Sequence, residues 1–70
     1  MLKKLKKKIE NNGFESFTNI EIKYDELFVS ANKFIGYDSI TEMIEIGKLA
    51  DEDIYNTTYL NDNIIKIKLK

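Results

Sequence analysis

No cysteine and no histidine occur in this chain of 70 residues. Disulfides and Cys/His zinc sites are therefore excluded as staples. A chain this short buries only about 60% of the surface that its unfolded form exposes. Its stability must come from packed apolar side chains, its own or those of a partner subunit. A hydrophobic content of 43% is enough for a folded domain and argues against disorder. The length sets the expectation of a single small domain over residues 1–70.

The pattern along the chain points to α+β architecture. Leu2, Leu5 and Ile9 repeat at i, i+3 and i+7 and predict a helix over 2–12. Asn11-Asn12-Gly13 provides its stop, with Gly13 suited to the left-handed position past the end. The five lysines of the first two turns oppose the helix dipole, so this helix needs docking or a partner to hold it.

Residues 18–32 alternate as a β-hairpin. With Asp25-Glu26 as the loop, Tyr24 opposes Leu27, Ile22 opposes Val29 and Ile20 opposes Ala31, all on one face. Asp-Glu suits the favoured hairpin turns poorly, so the loop is the weak point of this register. Residues 54–69 predict a second hairpin. A loop at Asn61-Asp62-Asn63 sets Tyr59 against Ile65, Thr57 against Ile67 and Tyr55 against Leu69. The other face then pairs Thr58 with Lys66 and Asn56 with Lys68.

The stretch between the hairpins has two readings. Ser39 followed by Glu42 matches a capping box, and Ile40, Met43, Ile44 and Gly47 share a helical face, which favours a short second helix at 39–46. The alternation of Ile40, Glu42, Ile44 and Ile46 and the wealth of β-branched residues fit a strand instead. The expected fold is an N-terminal helix packed on an antiparallel sheet of four to five strands built from two hairpins. No internal repeat is visible in the sequence.

The residue types also restrict chemistry. Without imidazole, thiol or guanidinium the chain lacks the usual proton shuttle, nucleophile and phosphate clamp. Asp51-Glu52-Asp53 is the densest acidic cluster, but consecutive carboxylates do not converge, and the spacing lacks the alternating ligands of a calcium loop. No Gly-rich phosphate loop is present, since Gly13, Gly36 and Gly47 stand alone. A non-catalytic protein without metal or cofactor is therefore expected. No apolar run approaches the ~18 residues of a membrane span, and the lysine-rich start lacks the apolar stretch of a secretory signal, so a cytoplasmic location is expected.

Charge is strongly partitioned. Residues 1–8 carry five lysines and no acid, residues 9–62 carry twelve acids against three lysines, and residues 63–70 carry three lysines, for a net charge of −1. Two functional readings follow. In the first, Phe28, Phe34 and Tyr37 form an aromatic patch rimmed by Asp38, Glu42, Glu45, Asp51, Glu52 and Asp53. That surface suits a protein-binding module, such as a small phage or mobile-element inhibitor of a host nucleic-acid-handling enzyme. In the second, Lys3, Lys4, Lys6, Lys7 and Lys8, with Lys66 and Lys68, contact phosphates of a nucleic acid. The alternating lysines of the last strand are better suited to protecting a sheet edge than to extending a basic patch. A third reading is a homo-oligomer, with a homodimer burying the aromatics against itself.

Overall fold

The computed structural model describes residues 1–31, 37–61 and 63–70. Its elements run α1 (Leu2–Asn12), β1 (Asn19–Lys23), β2 (Glu26–Ser30), α2 (Tyr37–Leu49), β3 (Tyr55–Asn61) and β4 (Ile64–Leu69). The four strands form one antiparallel sheet in the order β1-β2-β4-β3. This is the expected α+β class, with the N-terminal helix, two hairpins and a second helix. That helix is longer than 39–46 and settles the middle stretch against a strand.

The two halves repeat one element order, helix-strand-strand. The second strand of each half lies at the centre and the first at an edge, so the strand order of one half mirrors that of the other across the β2–β4 seam. The seam sets Leu27 against Ile67 and Val29 against Ile65, all four fully buried. α1 packs on β1 and β2, and α2 packs beside α1. Ile46 and Ala50 of α2 share one core with Leu5, Ile9, Phe17, Leu27, Val29, Ile65 and Ile67. Both helices therefore cover the same face of the sheet.

Each element has a local cause. α1 buries Leu2, Leu5 and Ile9, the periodic residues of its sequence. Met1 caps it without a side-chain bond, and the first turn holds no acid. Its stability thus rests on that buried stripe. It ends where Gly13 adopts φ 72° and its N–H reaches the Glu10 carbonyl at 3.1 Å.

The first hairpin turns one residue earlier than the sequence suggests. Its loop is Tyr24-Asp25, with φ of 53° and 61°, and Lys23 pairs with Glu26. Left-handed values at both central residues match the twist of the flanking strands. Ile22 accordingly opposes Leu27, and Ile20 opposes Val29. Each partner slips by two positions, so the same side chains face the core. Tyr24, expected opposite Leu27, stands in solvent at 93% exposure.

The second hairpin has the expected register from Tyr55↔Leu69 through Tyr59↔Ile65. A bulge between Tyr59 and Asn61 lets Asn61 pair with Ile64, which shortens the loop. The Asn61 side-chain oxygen accepts the Asn63 N–H at 2.9 Å and closes the turn.

α2 departs from the expected cap. It begins at Tyr37, so Ser39 lies inside the helix and is buried. Glu42 Oε1 accepts the Ser16 N–H at 3.0 Å instead of capping its own helix. The core-facing stripe is Ser39, Met43, Ile46 and Ala50. Ile40 and Ile44 are turned off it.

Candidate interaction surface

β3 is an edge strand, and its direction of hydrogen bonding can be read from the chain that follows. The Lys70 N–H donates to the Ile54 carbonyl at 3.0 Å. In an antiparallel ladder the residues that point at a given neighbour alternate. Asn56 and Thr58 therefore bond toward β4, while the main-chain groups of Thr57 and Tyr59 point away from the sheet. No strand covers that outer edge among the described residues. The sequence of β3, Tyr-Asn-Thr-Thr-Tyr-Leu-Asn, carries no charge and no proline. Edge strands commonly carry such residues to block pairing. β1, the opposite edge, has Glu21 and Lys23, which form an ion pair at 3.1 Å.

An apolar flank of α2 adjoins this edge. Ile40, Ile44 and Gly47 fall at i, i+4 and i+7 on one side of the helix. Ile40 and Ile44 are 55% and 53% exposed. At Gly47 the flank meets β3. A Cβ built there would strike the Tyr59 hydroxyl and lie 3.7 Å from Tyr59 Cζ. The absent side chain lets the tyrosine lie against the helix, and Tyr59 remains 51% exposed. The apolar flank of α2 thus reaches the β3 edge at Gly47 and Tyr59, with Ile44 one turn and Ile40 two turns back along the helix.

The residues expected to bind are distributed differently. Phe28 is half-buried on the sheet face opposite both helices, between its register partners Glu21 and Lys66. Phe34 lies outside the described residues. Tyr37 and Asp38 open α2, and only their backbone is described. Glu42 is half-buried and engaged with Ser16. Glu45, Asp51, Glu52 and Asp53 are exposed. Asp51 also builds its own turn: its carboxylate accepts the Asp53 N–H at 2.9 Å, and its carbonyl accepts from Ile54 and Tyr55. The sheet separates Phe28 from α2, so among the described side chains Phe28 does not share a patch with Glu42 and Glu45. Phe14 and Phe17, which the sequence left unplaced, pack into the core.

The lysines divide as well. Lys3, Lys4, Lys7 and Lys8 are exposed along α1, and Lys6 is half-covered. Lys66 is paired with Glu26 at 3.4 Å on the open face of the sheet. β4 is a central strand, so its lysines do not protect an edge. Lys3, Lys66 and Lys68 do line one shallow depression at the end of the sheet, shared with Asp25 and Glu26. Among the described residues no acidic side chains gather into a group able to hold a metal ion. No described helix is long and apolar enough to cross a membrane.

The surface was hidden in sequence because Ile40 and Ile44 look like core residues, and the way α2 docks decides which of its faces is buried. One signal was present: β3 is a seven-residue strand without a charge in a chain that is 33% charged. Comparison with protein-family models, with curated proteins and with solved structures gives no match.

Proposed function

We propose that this protein is a non-catalytic protein-binding module that docks its partner on the β3 edge and the adjoining flank of α2. One observation carries this reading: two isoleucines more than half exposed stand beside an uncharged, unpaired strand edge. Addition of a strand to such an edge supplies main-chain hydrogen bonds, while neighbouring apolar side chains supply burial. The missing imidazole, thiol and guanidinium groups support binding over catalysis.

The test compares three forms of the protein as immobilised bait: wild type, Ile44→Glu, and a variant with Lys3, Lys4, Lys7 and Lys8 changed to Ala. Prey includes both a cell lysate and a differently tagged copy of the same chain. Protein retained stoichiometrically after nuclease treatment, lost with Ile44→Glu and kept with the lysine variant, is the expected result. Retention that disappears with nuclease or with the lysine variant would refute the proposal and assign function to α1 through phosphate contacts, with a steep dependence on salt.

A further inference from the structure

We infer that the occupant of this surface is a second copy of the same chain, joined by antiparallel pairing of β3 with β3 about a two-fold axis at Thr58. The inference rests on the binding surface proposed above and names its partner.

Three observations lead there. The first is the direction of the free main-chain groups. With Thr58 on the axis, Thr57 of one copy stands opposite Tyr59 of the other. These are the residues whose N–H and C=O point outward, so each pair exchanges both hydrogen bonds. The bulge before Asn61 turns that residue toward Ile64, so the new ladder is centred on Thr57 and Tyr59.

The second is charge. A strand that pairs with its own copy sets like residues near one another, and any charge in it would repel itself. β3 has none. β1 carries charge at two of its five positions, so the two edges of the sheet are not equivalent in this respect.

The third is that the sheet already grows by antiparallel edge-to-edge pairing of its two hairpins. The two helix-strand-strand halves meet edge to edge through the antiparallel β2–β4 seam, with α1 and α2 packed together on one face. Pairing β3 with β3 would add a second antiparallel seam, made by the first strand of the half where the internal seam is made by the second. A two-fold perpendicular to the sheet keeps both copies of α2 on the same face. Ile40 and Ile44 of each then border the new seam. Two four-stranded sheets become one of eight strands.

Sedimentation and light scattering of the intact chain test this, with two variants. Wild type is expected at twice the 8.2 kDa chain mass. Thr57→Pro removes an outward N–H and adds a ring on the outer edge, where proline is tolerated. It should keep the circular dichroism of the fold and weaken self-association by at least about tenfold. Thr58→Cys introduces the only thiol of the chain. Opposed residues of a non-hydrogen-bonded pair lie about 4.5 Å apart at Cα, within disulfide reach. It should cross-link under mild oxidation, whereas Asn56→Cys, farther from the axis, should not.

A dimer insensitive to Thr57→Pro, or one that cross-links through Asn56→Cys in preference to Thr58→Cys, would overturn the pairing. A folded wild type that is monomeric at high concentration would overturn the second copy as occupant. In that case lysate protein lost with Ile44→Glu would leave the binding surface standing, and its absence would remove both proposals.

Discussion

The Tyr24-Asp25 turn should be improvable, because two non-glycine residues there hold left-handed backbone values of 53° and 61°. Left-handed backbone costs a non-glycine residue roughly 1 kcal/mol or more, with Asn and Asp the least affected. Tyr24 returns little for that cost, since it is 93% exposed. Replacing the pair by Asn-Gly supplies the residues that a two-residue turn with positive φ prefers. Relief at Tyr24 contributes about 1 kcal/mol. Relief at Asp25 contributes less, because glycine also loses more freedom on folding. The net expectation for Tyr24→Asn with Asp25→Gly is about 1.5 kcal/mol of added stability. For a domain of this size that raises the thermal midpoint by roughly 6–12 °C. Asp53→Gly is the control: Asp53 is exposed and its φ is not positive, so glycine there should cost about 0.5–1 kcal/mol. Thermal melts and urea titrations of the three proteins decide the matter. A double variant no more stable than wild type, or one that behaves like Asp53→Gly, would refute the strain argument and the turn assignment with it.

Three further outcomes are expected. Gly13→Ala should destabilise by about 1 kcal/mol in urea titration, although a Cβ there meets nothing within 4 Å, because the cost is purely that of φ 72°. Gly47→Ala should be nearly neutral in wild type, where the gain of about 1 kcal/mol in helix propensity is offset by displacing Tyr59, and should show the full gain in a Tyr59→Thr background. A double-mutant cycle with no coupling would show that the ring does not lie on the helix. Glu42→Ala should lose about 1 kcal/mol by leaving the part-buried Ser16 N–H without its acceptor, and Glu42→Gln should lose clearly less because its side-chain oxygen can still accept. Equal losses by denaturant unfolding would remove that hydrogen bond from the account.

Much of the architecture was legible because its signals are local. The i, i+3, i+7 spacing of Leu2, Leu5 and Ile9 and the glycine after Asn12 define α1 without tertiary information. The second hairpin was legible through its register, since the sequence offered one alignment that pairs Thr58 with Lys66 and keeps Tyr59 beside Ile65. The first hairpin failed for a physical reason. Slipping each partner by two positions leaves every side chain on its face, so burial cannot choose between the alternatives and the turn decides. The candidate surface was less legible still. Ser39 and Glu42 look like a capping box, but the helix starts at Tyr37, and its docking buries Ile46 and Ala50 and leaves Ile40 and Ile44 outward. Strand order cannot be read from local pattern at all. It places the lysines of β4 at the centre and leaves uncharged β3 at the edge.

The helix-strand-strand repeat also bears on how the molecule comes together. Each half alone holds a two-stranded ribbon and one helix, and without the other half its inner strand loses its seam partners. Its long-range contacts are concentrated where Leu27 and Val29 meet Ile67 and Ile65. Each half is therefore the natural template for the other. A chain severed between β2 and α2 would give two fragments that each lack half of the seam and are complementary together. Their recombination would report on proximity in the manner of a split reporter, with the seam supplying the switch.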